Sequence, residues 1–484
     1  MENVEFKRTG NFWIDAGIVG MWNLLAAQYR IDSRKPGWLG LKGNGLSITI
    51  SDDALGMQGQ RRAIEAAQKR ILDLLKQRVW GKTTSGKPWW TPSASFFFAQ
   101  HLRRFDFLRK PSDLVTSGHW QRGSCDFCGR SGVPTRDVGS SEDPFTVTRA
   151  KMSSFYSSLR GAIRICVFCY CASHFVPLVL FFNIRGRTMN AFLLESSGLL
   201  SLAKADRHLS DARAAGQGYQ NFKLGFFGPQ HPLETFLAFL TSVREGLKDV
   251  GLTEEEKEVN RVHIMRFERK GNTVTIERYY TIPNLSDILS SIDKFDWKEK
   301  DGRRRNSLQD VLRSLHFKRG REEDTNLREQ LSRAFLYKED MSPVLEEFLF
   351  RYVLLEKSDL NKLYTSDFYT LSRKYSTIVL GMDEQLLDHT QTVGDMLGKI
   401  SAKSDDTGIL YGLRSTRSLE EFLLFLQQVY TRYMKDIEPD VRSTEGLLSG
   451  IDGKNWRTYK SLVGIFAVLG YASRKKKGGK GGAA

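Results

Sequence analysis

Two Cys-x-x-Cys pairs, Cys125-Asp-Phe-Cys128-Gly129 and Cys166-Val-Phe-Cys169, constrain this chain more than any other feature. A Cys-x-x-Cys turn presents two sulfurs on one side of a backbone knuckle, and zinc takes four thiolates tetrahedrally. If both pairs serve one ion, the chain must return on itself over the 38 positions from Cys128 to Cys166. That span exceeds a compact zinc ribbon, so we expect a zinc-stapled lobe over residues 118–175 with an inserted excursion. Four protein ligands leave no open position for a catalytic water, which makes the expected Zn2+ structural. Cys171 and His174 are alternative ligands that the spacing disfavours, and a redox pair competes with a metal site for any Cys-x-x-Cys turn.

The chain has 484 residues, which implies two to four domains at about 100 to 200 residues each. Its 40% hydrophobic content and 12 prolines exclude a disordered chain, because enough apolar surface exists to offset the entropy of ordering. The most apolar run, Phe175 to Ile184, is too short to span a bilayer, and the first residues lack the pattern of a secretory signal. A cytoplasmic protein with no membrane partner is therefore expected, and paired cysteines in a reducing compartment favour metal over disulfide.

The net charge of +16 points to a polyanionic partner. Its distribution is uneven. Residues 1–320 carry 48 Lys or Arg against 32 Asp or Glu, whereas residues 321–473 carry 19 against 24. The last eleven residues add five positive charges and no large apolar group, so residues 473–484 are expected to be a disordered basic tail.

Apolar spacing gives the organisation. Ile14, Ile18, Met21, Leu25 and Tyr29 predict an amphipathic helix opening after Gly10-Asn11. Residues 38–50 predict a short strand, 64–79 a helix, and 81–92 a loop carrying Trp89-Trp90. Residues 178–184 predict a buried strand, and 262–281 a hairpin turning at Lys270-Gly271-Asn272. Beyond residue 325 apolar residues recur at three- and four-residue steps, with Asp324 or Thr325 and Ser342-Pro343 as helix starts. The fold class is α+β: a mixed α/β nucleic-acid-binding part over 1–300, a basic linker over 301–325, and an all-α bundle over 326–472.

Catalytic patterns are missing. The eight histidines form no His-x-x-x-His or His-x-Glu, and no Gly-x-x-x-x-Gly-Lys-Ser/Thr loop is present. Adjacent acids such as Asp52-Asp53 and Glu420-Glu421 have the character of solvated pairs. We expect a binding protein, with a stand-alone zinc-containing nuclease or nucleic-acid-modifying enzyme as the alternative. Basic and aromatic residues interleave from Phe96 to Lys110, with Arg103 and Arg104, and again at Arg303-Arg304-Arg305. Such stretches suit phosphate contact with stacked bases, although each also fits a solvated face. In the Gly-rich segment 216–232, Gln220, Asn221 and Lys223 offer base-edge and phosphate partners.

The opening Thr9-Gly-Asn-Phe-Trp-Ile-Asp-Ala-Gly17 resembles the Gly-Asp/Asn-Pro-Phe-Val-Asp-Ala-Gly signature of the large subunit of type I CRISPR interference complexes (Cascade), particularly the I-B and I-A kind. Phe12-Trp13 stands where Pro-Phe is usual. The paired Cys-x-x-Cys motifs, the basic mixed first part and the helical last third are similar to that family's layout. The resemblance implies a noncatalytic subunit that reads the protospacer-adjacent motif in duplex DNA, holds the 5′ handle of the guide RNA (crRNA) and promotes R-loop formation. It implies a C-terminal bundle, similar to the small subunit, that lines the displaced single strand. It also implies other Cascade subunits as partners and a recruited helicase-nuclease, or transposition proteins in an RNA-guided transposition system. Some members yield a separate small subunit by internal translation, for which Met341 is the candidate start and Met382 the second. Gly10, Asn11 and Asp15 match the opening signature, where a place near the guide handle and a role in shaping the N-terminal fold are both open.

Overall fold

The computed structural model describes residues 2–28, 39–42, 44–50, 79–82, 88–90, 120–138, 163–173, 175–176, 179–211, 230–246, 259–270, 273–298, 302, 304–319, 322–356, 360–433 and 441–479. The chain divides into two compact units, Met1–Gly225 with Gln230–Asp287, and Ile288–Ala484 with Phe226–Pro229. The boundary thus falls near residue 288, ahead of the linker expected at 301–325.

In the first unit, strand β1 (Glu2–Lys7) leads into helix α1 (Phe12–Gln28), then strands β2 (Leu39–Lys42) and β3 (Gly45–Ile50), which form an antiparallel sheet in the order β1-β3-β2. The single strand expected over 38–50 is therefore two. Strands β4 (Val79–Lys82) and β5 (Pro88–Trp90) pair with each other, so Trp89-Trp90 sits on a strand rather than in the expected loop. The helix expected at 64–79 lies almost wholly outside the described residues.

Strands β6 (Gln121–Gly123), β7 (Val133–Asp137) and β8 (Arg164–Cys166) form a second sheet, and helix α2 (Val167–Ser173) follows directly. Strands β9 (Phe181–Arg185) and β10 (Thr188–Ser196), helices α3 (Leu199–Asp211) and α4 (Pro232–Gly246), and strands β11 (Val259–Lys270) and β12 (Thr273–Pro283) follow among the described residues of the unit. The four strands form an antiparallel sheet ordered β12-β11-β10-β9, with the expected hairpin as β11 and β12.

This sheet is buried on both sides at its centre. Phe192 packs against Phe236 and Phe239 of α4, while Phe12 of α1 covers His263 on the other side. Accordingly Trp13, Ile14, Ile18, Val19 and Met21 of α1 are all buried, and the helix is apolar all round instead of amphipathic.

Helix α5 (Leu285–Asp293) spans the boundary. In the second unit, the segment expected as a linker is folded. Strand β13 (Asp296–Lys298) pairs with β14 (Arg304–Asn306), and helix α6 (Ser307–Ser314) buries Leu308, Val311 and Leu312. Asn306 caps that helix, its side chain accepting from the backbone N–H of Gln309 at 3.1 Å. Strands β15 (Phe317–Arg319) and β16 (Glu322–Asp324) form a small ribbon. The basic run deceived because its apolar residues are spaced for one short helix, too few to stand out among seven arginines and lysines of 303–321.

The helical region comprises α7 (Asn326–Tyr337), α8 (Ser342–Phe350) running into a π-helical turn at Arg351–Leu355, α9 (Thr365–Ile378), α10 (Glu384–Ser404), α11 (Gly408–Ser415), α12 (Leu419–Tyr433), α13 (Val441–Gly450) and α14 (Trp456–Gly479). Helices α10 and α14 lie close because a β-carbon on Gly398 would stand 2.3 Å from the Ala467 carbonyl oxygen. Helix α13 approaches α10 in the same manner, with Gly446 against the His389 ring and Gly450 against Leu386. The basic C-terminal segment is not a free tail through residue 479. It continues α14, where Lys475 Nζ meets Asp405 at 2.5 Å and Lys476 Nζ donates to the Leu363 carbonyl at 2.7 Å.

Candidate metal centre

The first Cys pair forms a knuckle between β6 and β7. Cys125 N–H donates to the Arg130 carbonyl at 2.8 Å and Gly129 N–H to the Cys125 carbonyl at 3.0 Å, a tight loop that needs the positive φ of Gly129, +70°. The second pair straddles a junction: Cys166 ends β8, and Cys169 lies one turn into α2. Asp126 ties the two halves, donating its N–H to the Arg164 carbonyl at 2.9 Å and accepting the Arg164 N–H at 2.6 Å.

All four Sγ atoms fall within 4.8 Å of one another, with 3.9 Å between Cys125 and Cys169 and 3.7 Å between Cys128 and Cys166. A tetrahedron of sulfurs bonded at about 2.3 Å to one ion has edges of about 3.8 Å. The donor set therefore fits a tetrahedral thiolate site and can hold a metal ion. Cys125, Cys166 and Cys169 are buried, and Cys166 N–H donates to Cys125 Sγ at 3.2 Å, the outer contact a bound thiolate requires.

Electrostatics point the same way. Hydrogen bonds from Cys128, Cys166 and Cys169 hold the Cys125 thiol far below its ordinary range. Cys128 is raised by its hydrogen bond with Cys125 but lowered by those with Cys166 and Cys169, and settles at about 7. Cys166 and Cys169 are pushed well up, first by hydrogen bonding to Cys125 and then to Cys128. Four sulfurs in this space cannot all ionise by themselves, whereas a dication offsets their mutual repulsion. Cys171, the alternative ligand, is buried in α2, its thiol raised by burial, and is not in the cluster. His174 lies outside the described residues.

The knuckle is bound to β1. The Arg130 guanidinium donates to the Glu5 carbonyl, lies 3.7 Å from the Glu5 carboxylate, and stacks 4.4 Å over Phe168, whose ring meets Phe6 edge-on at 5.8 Å. Helix α2 in turn packs on α1, where Gly17 and Gly20 admit the backbones of Ala172 and Phe175.

The residues before α1 have a structural use. Gly10 turns the chain at φ +75°. Asn11 caps α1, its Oδ1 accepting from Trp13 N–H and Ile14 N–H at 3.0 Å each. Asp15 reaches back to accept from Thr9 N–H at 2.7 Å, Thr9 Oγ1 at 2.8 Å and Gly10 N–H at 3.0 Å, with Arg8 at 3.7 Å. Burial nevertheless pushes the Asp15 carboxyl up, against those hydrogen bonds. Of the two roles open for Gly10, Asn11 and Asp15, these contacts support the shaping of the N-terminal fold.

Among the expected nucleic-acid contacts, Arg305 is committed elsewhere. Its guanidinium meets Asp310 and the fully buried Asp367 at 3.0 Å each and lies 5.1 Å from the Tyr364 ring centre. These ion pairs clamp β14 to α6 and α9. Arg304 sits on β14 opposite Lys298. Arg103, Arg104, Gln220, Asn221, Lys223 and Arg303 lie outside the described residues.

One constellation was not expected. His263 on β11 is buried with Nε2 at 2.8 Å from Glu195 on β10 and Nδ1 at 2.6 Å from the Tyr279 hydroxyl on β12, and Phe12 stacks on it at 3.7 Å. A polar residue between Val262 and Ile264 was its one sequence signal; the partners come from other strands.

No helix among the described residues is long and apolar enough to cross a membrane. Compared with known proteins, the chain matches no protein-family profile and no curated protein.

Proposed function

We propose that this chain is a noncatalytic large subunit of a type I CRISPR RNA-guided interference complex. In this role it recognises the protospacer-adjacent motif in duplex DNA, holds the 5′ handle of the guide RNA and promotes R-loop formation, while the helical region steadies the displaced strand. The carrying observation is that the two specific marks of the resemblance are physically joined. The Thr9–Gly17 segment caps and opens α1, and Gly17 seats α1 against α2, the helix that carries Cys169. A rigid lobe held this way suits a protein that delegates sequence reading to guide pairing and needs only a short duplex contact and backbone attraction. The charge agrees: residues 1–320 carry the whole surplus.

The metal in this proposal is zinc. Cys125, Cys128, Cys166 and Cys169 would hold it, and it would neutralise four thiolates and lock β6, β8 and α2 together without offering a coordination site for substrate. Elemental analysis should find one zinc per chain, and Cys166→Ser should abolish it and lower the melting temperature of the apo-like protein. A zinc-free native chain would remove this part.

The test of function is co-expression with the neighbouring interference proteins and a guide RNA. The chain should copurify with the RNA complex and confer duplex binding that depends on the adjacent motif. Failure to assemble, or Mg2+-dependent cleavage by the chain alone, would instead support the zinc-containing enzyme. Neighbouring genes for a helicase-nuclease or for transposition proteins distinguish defence from RNA-guided transposition.

A further inference from the structure

We propose that Cys128 and Cys166 form a peroxide-sensitive pair: oxidation joins them as a disulfide, frees the metal and leaves the lobe closed. The proposal rests on the zinc assignment above and adds a second, oxidised state to that site.

Unequal access singles out one sulfur. Cys125, Cys166 and Cys169 are 2%, 0% and 4% exposed, whereas Cys128 is only partly covered. Its neighbours Asp126 and Gly129 are exposed, and among the described residues nothing lies within 4 Å of a β-carbon built on Gly129. A cysteine that ligates a metal is held as thiolate, so Cys128 is both nucleophilic and reachable. Oxidation follows those two properties, and reversible sensing needs a second thiol beside the first.

Cys166 is that second thiol, with its Sγ 3.7 Å from Cys128 Sγ. Cys125 shares the knuckle with Cys128, but its sulfur accepts the Cys166 N–H at 3.2 Å and has Cys169 at 3.9 Å. A hydrogen bond into a thiolate stabilises its charge and weakens it as a nucleophile, which makes Cys166 the better attacking group.

The oxidant is hydrogen peroxide. The Cys128 thiolate attacks one peroxide oxygen: the S–O bond forms, the O–O bond breaks and hydroxide leaves, giving Cys128 sulfenic acid. The Cys166 thiolate then attacks Cys128 Sγ, forming the S–S bond and expelling a second hydroxide. The two sulfurs lose two electrons and the peroxide gains two. Cys125 and Cys169 alone no longer hold the ion.

The new bond joins the same two places as the metal site. Cys128 lies in the knuckle between β6 and β7, and Cys166 ends β8. A disulfide inside the knuckle, Cys125 to Cys128, would instead leave the halves joined by the hydrogen bonds between Asp126 and Arg164.

Full-length wild type should be treated with hydrogen peroxide while zinc release to a chromophoric chelator is followed, and its disulfides mapped by mass spectrometry of a non-reducing digest. One zinc should leave per Cys128–Cys166 disulfide formed, and a dithiol reductant with added zinc should restore the starting state. The oxidised chain should melt above the same chain reduced and stripped by chelator, because its closure is covalent. Cys128→His keeps four ligands without an oxidisable sulfur at the open position. It should retain zinc and lose the release seen at the peroxide concentration that empties wild type.

A first disulfide between Cys125 and Cys128, no disulfide in the zinc-loaded chain, or wild-type release from Cys128→His overturns the pair and leaves the zinc assignment standing. A native chain without zinc that still forms the Cys128–Cys166 disulfide supports the pair and removes the zinc. The wild-type disulfide map decides independently of the variant.

Discussion

Gly17 lies against the backbone carbonyl of Ala172 so tightly that a β-carbon there would stand 2.0 Å from the oxygen. No flexible side chain can yield at that point, because the obstacle is main chain of the helix carrying Cys169. Gly17→Val should therefore destabilise the first unit by at least the roughly 1–3 kcal/mol typical of overpacking. It should also loosen the metal centre, which zinc release to a chromophoric chelator would measure as a faster rate than in wild type. Gly10→Ala tests the same segment differently, since only its positive φ is at issue and nothing lies within 4 Å of the added carbon. Its cost should be about 1 kcal/mol by thermal or denaturant unfolding, without faster metal release.

Arg305 separates structural from nucleic-acid arginines. Removing it takes a cation from the buried Asp367 carboxylate, so Arg305→Ala should destabilise the second unit, by up to about 3–5 kcal/mol. Nucleic-acid affinity at a temperature where the variant stays folded should be unchanged. A large loss of affinity with intact stability would contradict the clamp.

The buried His263 makes the first unit sensitive to acid. Burial holds its imidazole below the ordinary range, with Glu195 opposing and Arg261 assisting. A base whose folded pKa is depressed binds protons more readily unfolded, so its contribution is present above about pH 6.5 and is lost as pH falls below that value. Unfolding midpoints measured from pH 8 to 5 should drop for wild type, and His263→Gln should flatten that part of the profile.

The second unit predicts which internal start can give a stable product. A chain beginning at Met341 keeps α8, where Asp340 and then Ser342-Pro343 set the helix start in the intact protein. It retains Phe348 stacked on Phe368, and Glu346 beside Gly464 of α14. A chain beginning at Met382 loses α8 and α9 and uncovers Phe466, on which Tyr369 stacks at 5.4 Å. The longer fragment lacks Arg305, the partner of Asp367, and Phe335, which packs on Tyr375, so it should unfold cooperatively but at a lower midpoint than the intact second unit, whereas the shorter should aggregate. Mass spectrometry of native complex should detect the longer one if internal translation occurs.

Much of the framework was legible because local chemistry dictated it. The Cys-x-x-Cys spacing identified four sulfurs that do converge, and Gly129 announced the tight turn. Asn11 before an apolar run marked the start of α1, and the alternation around Lys270-Gly271-Asn272 marked β11 and β12. Regular three- and four-residue steps beyond residue 325 marked the helices. Where the sequence misled, charge was the reason. The arginines of 303–305 suggested a linker, yet three residues on, Leu308, Val311 and Leu312 fix a buried helix. The lysines after residue 473 suggested a tail, yet two of them find an acid and a carbonyl on neighbouring segments.

By itself, then, the sequence determined the sulfur set, the start of α1, the hairpin and the helical last third, all of which depend on neighbours a few positions apart or on a ligand type that admits few alternatives. Only the tertiary structure decided that Gly17 is a contact with Ala172, that Arg305 belongs to Asp367, and that Glu195, His263 and Tyr279 form one chain across three strands. Strand register and helix approach join residues far apart in the chain, 155 positions for Gly17 and Ala172 and 251 for Phe12 and His263, and no periodicity along the chain encodes which ones will meet.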